Sequence, residues 1–185
     1  MKVEKEVTSV LAVDAGRSVG AAVIDFPWGR GPNLRHVHQF RHDDDVKLYK
    51  TTVDLLYKYH YVDVLVVEQF DLRPGNKFVA DLTPVKLNAV IEFENAHHPQ
   101  RYPIPMVWQT PAQAKGLVSN EALKNLGMWP TGKTVDQPDA DDARDAIRHA
   151  IRYGVNVLKH MPTISKGWPQ EQEQTTEQQG EEDAA

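Results

Sequence analysis

Residues 10–25, Val-Leu-Ala-Val-Asp-Ala-Gly-Arg-Ser-Val-Gly-Ala-Ala-Val-Ile-Asp, constrain the fold more than any other stretch of this chain. Residues 10–13 are an unbroken apolar run, the pattern of a short strand buried on both faces. Gly16 and Gly20 supply turn freedom, and residues 19–24 restart a strand, so the segment reads as a hairpin. Asp14 stands where the buried strand meets the turn. A carboxylate there is costly unless something pairs with it. One reading is a turn aspartate bonded to nearby amides; the other depends on what the rest of the chain brings to it.

The hairpin is followed by a Pro/Gly loop, residues 26–32, and by a weakly alternating segment, 34–40, that predicts a third strand. Asp43, Asp44 and Asp45 then precede Val46, Tyr49, Val53, Leu56 and His60, the spacing of an amphipathic helix whose positive end suits the acidic run. Residues 63–68, Asp-Val-Leu-Val-Val-Glu, are a second buried-type strand, and it too ends in an acid, Glu68. A helix between two such strands predicts a crossover and parallel pairing. After a loop over residues 69–77, Thr83-Pro84 reads as a helix N-cap with proline at the first position, leading through Leu87, Val90, Ile91 and Glu94. Residues 103–108 predict a short proline-flanked strand, residues 119–126 a short helix and residues 127–132 a loop. The last helix is expected to begin near Pro138-Asp139, with Ala143, Ala146, Ile147, Ala150, Ile151, Gly154, Val155 and Leu158 on one apolar face. Asp142 and Asp145 lie near each other beside or opposite that face, and His149 is expected on the polar surface.

A chain of 185 residues suits one domain with a full core. Of its 26 acidic and 21 basic residues, six acids (Glu171, Glu173, Glu177, Glu181, Glu182, Asp183) and only Lys166 among the bases lie beyond Met161, so the body is electrically neutral despite a net charge of −5. The expected division is a domain over residues 1–160 and a Gln/Glu-rich acidic tail over 161–185, disordered for want of aromatic or branched aliphatic residues from 170 onward. The absence of cysteine excludes disulfides and thiolate metal sites and is compatible with a reducing cytoplasm. No apolar run approaches a membrane span, and the charged first residues are not followed by a signal-type core, so the expectation is a cytoplasmic protein with no membrane partner.

Three acidic loci remain: Asp14 at one strand end, Glu68 at another, and Asp142 with Asp145 at a helix start. If the strands are neighbours, their acidic ends meet, and a helix packed on the sheet brings its first turn to the same edge. Carboxylates so close cannot all stay ionised without a cation. Hard oxygen donors select Mg²⁺ or Mn²⁺, and two such ions would suit displacement at a phosphodiester.

Residues 8–158 resemble, in order, the RuvC-type Holliday-junction resolvases of the RNase H-like superfamily, and most of all the small RuvC-like resolvases of phages. The resemblance rests on Val13-Asp14-Ala15-Gly16 with its hairpin, on Val67-Glu68-Gln69, and on residues 142–150, Asp-Ala-Arg-Asp-Ala-Ile-Arg-His-Ala. Phage-like features are Leu72-Arg73-Pro74-Gly75, residues 81–87 and Gln109-Thr110-Pro111-Ala112. It implies an α/β RNase H-like fold: a mixed five-stranded sheet of three antiparallel strands then parallel additions, flanked by helices. It further implies a homodimer that binds four-way DNA junctions and nicks two strands, leaving 5′-phosphate and 3′-hydroxyl ends. By position, Asp14, Glu68, Asp142 and Asp145 would hold two Mg²⁺ or Mn²⁺ ions, with Asp141 the alternative to Asp142. Lys115 matches a family lysine that contacts phosphate near the cut, and Lys124 matches a second. Phe70 falls near a family aromatic that stacks on junction bases, though a core phenylalanine is the competing role. Arg73, Lys77, Lys86 and Arg101 are further candidates for phosphate contacts.

Two other function classes compete. The turn at residues 14–18 also resembles the first phosphate loop of actin-like and sugar kinases, but those need two lobes. A non-catalytic nucleic-acid-binding module on the same fold is the other. Within the nuclease reading, a broader flap, fork or branched-DNA endonuclease is the alternative to a junction resolvase.

Overall fold

A computed structural model of the protein describes residues 6–70, 81–98 and 103–169. The expected hairpin forms: β1 (Val7–Asp14) pairs antiparallel with β2 (Ser18–Pro27), and β2 pairs antiparallel with β3 (Asn33–Arg41). The chain crosses over through α1 (Asp45–Lys58) to β4 (Val64–Glu68), parallel to β1. It crosses again through α2 (Thr83–His97) to β5 (Met106–Gln109), parallel to β4. The result is a five-stranded mixed sheet in the order β3-β2-β1-β4-β5. Five helices follow: α3 (Pro111–Leu117), α4 (Asn120–Leu126), α5 (Gly132–Val135), α6 (Asp141–Asn156) and α7 (Met161–Gly167). No described helix is long and apolar enough to cross a membrane.

The sheet is buried on both faces because its central strands carry unbroken apolar runs, residues 10–13, 21–24 and 64–67, rather than apolar residues at alternate positions. Val10, Ala12, Ala22, Ile24, Val64 and Val66 face α4 and α6, meeting Leu123, Leu126, Ile147 and Ile151. Leu11, Val13, Ala21, Val23, Leu65 and Val67 face α1 and α2, meeting Leu48, Leu55, Leu56, Leu87 and Ile91. Asn95 of α2 pins the entry to β5, donating to the Ile104 carbonyl (2.8 Å) and accepting from the Ile104 amide (3.0 Å).

Several local expectations are corrected. The buried face of α1 is Leu48, Thr52, Leu55 and Leu56, whereas Val46 is 75% exposed and His60 lies past the helix end. Arg17 in the β1–β2 turn holds Asp45 at 2.6 Å, which anchors the first turn of that helix. The acidic run does serve the N-terminus, with Asp44 accepting from the Lys47 amide. Thr83 is the first residue of α2, not its cap; its amide and hydroxyl both donate to Asp81 Oδ1. A helix, α3, begins at Pro111 behind a capping box of Thr110 and Gln113, where the sequence predicts none. Residues 161–167, assigned to the tail, form α7. Its Lys166 donates to the Leu126 carbonyl and its Gly167 carbonyl accepts from Asn125, so it sits on α4. Residues 170–185 lie outside the described residues, as do Arg73, Lys77 and Arg101.

Candidate active site

Parallel pairing of β1 and β4 puts Val13 opposite Val67, so the next residues, Asp14 and Glu68, end adjacent central strands at one edge of the sheet. In the hairpin, Asp14 lies opposite Gly20. Gly20 is not a turn residue: it is a point of close approach. A Cβ there would stand 1.9 Å from the Asp142 carbonyl oxygen, so only glycine lets the first turn of α6 rest on β2. Ser18 adds a hydrogen bond to the Asp142 carboxylate. The sequence therefore delivers Asp142 to the strand residue facing Asp14.

No side chain of its own cap residue, Ala140, closes the N-terminus of α6. Gln39 of β3 does so instead: its Oε1 accepts from the Ala143 amide (3.0 Å) and its Nε2 donates to Asp139 Oδ1 (3.2 Å). Gln39 is buried, and sequence reasoning missed it. The available signal was a lone amide two residues after Val37 on the core-facing side of an edge strand.

The four acids act on one another. Burial first, then the charges of Glu68, Asp145 and Asp142, push the Asp14 carboxyl well above the usual carboxylate range. Burial also raises Asp142, with Asp139, Asp145 and Asp141 adding to it against the Ser18 hydrogen bond. Asp141 and Asp142 differ in place: Asp141 is 74% exposed and paired with Arg144, while Asp142 acts on Asp14.

Two basic groups of the chain, Lys115 and Arg148, offset part of this charge. Lys115 of α3 meets Asp145 Oδ2 at 2.7 Å, and that hydrogen bond, with the charges of Asp145, Asp14 and Glu68, raises its pKa. Arg148, one helical turn on from Asp145, pairs with it and also donates to Asn120 and the Val118 carbonyl. His149 is a correction: it is 1% exposed, with Nε2 2.8 Å from Glu68 Oε2 and Nδ1 3.2 Å from Gln109 Oε1. Its position on α6 turns inward because the helix packs on the sheet along a wider stripe than its aliphatic residues mark. Beside Asp145, a polar cleft of about 390 Å³ is lined by Lys115, Ser119, Asn120 and Arg148.

The other candidates are not gathered here. Lys124 lies over the Trp129 ring, 5.2 Å from its centroid, and Arg144 lies over the same ring. Lys86 is 3.7 Å from Asp45, next to Arg17, rather than among the four acids. Phe70 is 36% exposed and so is not a core residue.

Among the described residues no three acidic or imidazole groups stand in a ready-made metal-binding arrangement. Asp145 is occupied by Lys115 and Arg148, and Glu68 by His149. The donor chemistry nevertheless fits a hard divalent cation: all four acids are oxygen donors, and Asp14 is buried amid negative charge that Lys115 only partly offsets.

No protein-family model matches the chain, and no curated protein matches it significantly. Solved structures do. Thermus thermophilus RuvC superposes with a TM-score of 0.56 at 15% identity, over 80% of this chain and 95% of that one. The same protein in complex with Holliday junction substrate gives 0.52 at 14% identity, over 84% and 97%. The yeast mitochondrial Holliday junction resolvase Ydc2 gives 0.57 at 16% identity, over 86% and 83%. The mixed five-stranded sheet with its flanking helices is thus the RNase H-like fold of these RuvC-like neighbours.

Proposed function

We propose that the protein is a divalent-metal-dependent, structure-selective DNA endonuclease that resolves four-way junctions by paired phosphodiester nicks. The observation that carries this reading is the meeting of Asp14, Glu68, Asp142 and Asp145 at one sheet edge of an RNase H-like fold. The resolvase neighbours, one of them in complex with Holliday junction substrate, support the junction as the substrate.

In this reading Asp14, Glu68, Asp142 and Asp145 hold two Mg²⁺ or Mn²⁺ ions, which when bound supply Lewis acidity and a water nucleophile. Asp145 would give up its contact with Lys115 to an ion, while Glu68 would keep His149 on one oxygen and offer the other. Lys115, drawn to the acids but 56% exposed, is then free to face a phosphate and stabilise charge growing on its oxygens. The polar cleft beside Asp145 admits the sugar-phosphate backbone. Cleavage leaves 5′-phosphate and 3′-hydroxyl ends, and a homodimer places two such sites on one junction.

The test compares a labelled mobile four-way junction, a flap and a linear duplex with Mg²⁺ or Mn²⁺, beside an Asp145→Asn control. Paired symmetric nicks in the junction alone, lost in the control, are the expected result. Cutting of the flap at a similar rate would replace the resolvase with a general branched-DNA nuclease. Binding of the junction without cleavage in either metal would leave only a nucleic-acid-binding module.

A further inference from the structure

We infer that His149, held by Gln109, is a positioning residue that fixes the Glu68 carboxylate for metal binding; this rests on the reading of Glu68 as a metal ligand. His149 is fully enclosed, yet both ring nitrogens have polar partners on different strands: Glu68 at the end of β4 and Gln109 at the end of β5. Glu68 and Gln109 are register partners, so one imidazole on α6 bridges the ends of two adjacent strands. A neutral imidazole carries one donor and one acceptor, and here partners at both nitrogens fix the ring.

The hydrogen positions follow from the chemistry of the partners. An ionised carboxylate only accepts, so Nε2 of His149 carries the hydrogen and donates to Glu68 Oε2. Gln109 is buried, and its Nε2 has no partner while its Oε1 faces His149 Nδ1. Oxygen and nitrogen of an amide exchange places on a half-turn. Turned so, Gln109 Nε2 donates to Nδ1, the unpartnered donor is satisfied, and the ring is locked as the Nε2–H tautomer. The chain Gln109 to His149 to Glu68 then aims one Glu68 oxygen at the histidine and leaves the other for a metal ion. Hydrogen-bonded partners behind metal-ligating carboxylates act in this way, and losing one typically costs about 10–100-fold in metal affinity or activity.

The test measures Mn²⁺ binding to the full chain by calorimetry without DNA, beside thermal melts. His149→Leu is expected to weaken Mn²⁺ binding at least about tenfold, in the range such partners contribute. His149→Gln keeps an amide N–H donor and should recover most of that loss. Gln109→Leu leaves the imidazole but frees its ring, and should weaken binding to an intermediate degree, which keeps the test open if His149→Leu does not fold. Glu68→Gln serves as the reference. Weakened binding in Glu68→Gln with wild-type affinity in folded His149→Leu and in Gln109→Leu overturns the positioning role and leaves the metal site standing. Wild-type affinity in Glu68→Gln overturns both. A fall in melting temperature with Mn²⁺ affinity unchanged assigns the bridge to packing alone and also overturns the inference.

Discussion

Asp14 is 9% exposed and meets the charges of three other acids, so without a cation its ionised form works against the fold. Its folded-state pKa is raised above the ordinary 3.8. The folded chain therefore binds this proton more tightly than the unfolded one. The stability it contributes is fully present below the unfolded value and is lost as pH rises through the folded value. Asp14→Asn has the same shape and no charge to lose. In chelator-containing buffer it should melt higher than the wild type at neutral pH, by roughly 2–4 °C for each kcal/mol relieved in a chain of this size. The gap should close as pH is lowered toward the ordinary carboxyl value. Added Mg²⁺ or Mn²⁺ should stabilise the wild type more than the variant, and the variant should not cleave. Melts across pH with and without metal read all three; equal melting of the two proteins at neutral pH would contradict the electrostatic account. Lys115 makes the opposite kind of prediction. It is more than half exposed, so Lys115→Ala should change stability by less than about 1 kcal/mol. Yet kcat on the junction should fall roughly 10²-fold if its ammonium meets the phosphate in the transition state.

At the scale of elements, the site depends on how α6 is seated. Three features hold its first turn: the missing side chain of Gly20, the Gln39 cap, and the Ser18 bond to Asp142. None is a strong interaction alone, but all act on the same turn that carries Asp142. Gly20→Ala puts a methyl against backbone that has no room to yield on either side. The expected cost is about 1–3 kcal/mol, as for overpacking elsewhere. Because relief requires α6 to move off the sheet, Mn²⁺ affinity should fall even under conditions where the variant is fully folded. Urea unfolding and calorimetry separate the two effects. An unchanged affinity in a destabilised protein would show that α6 does not set the ligand geometry. Arg17 adds a second tie, from the β1–β2 turn to Asp45 at the start of α1 and to Asp81 before α2. Through it, the turn that follows Asp14 is bound to the helices on the other face of the sheet.

Across the whole molecule, strand positions were legible in the sequence because β1, β2 and β4 are apolar runs with acids or turns at their ends. The parallel pairing of β1 with β4 followed from the helix between them. What stayed hidden was polar and buried: Gln39, Gln109 and His149 look like surface residues until a sheet and a helix close over them. Short helices such as α3 and α7 carry too few residues for a period to register. Charge is the property that only the full chain shows. The body is neutral, and all six acids beyond residue 169 lie in a segment without a basic residue; removing them would turn the net charge of −5 slightly positive. Like charge on such a segment repels the phosphate backbone within a Debye length of about 10 Å at 0.1 M salt. It also competes with DNA for the chain's basic groups. Deleting residues 170–185 should therefore tighten junction binding several-fold at low ionic strength, with the two proteins converging as salt is raised. The salt slope of binding should steepen, since more of the basic groups are then free to displace counterions. Titrations of labelled junction over a salt series, with Ca²⁺ to suppress cleavage, measure both. Identical affinities and slopes would mean the acidic segment stays clear of the DNA-binding face, and that the neutral body alone sets the affinity.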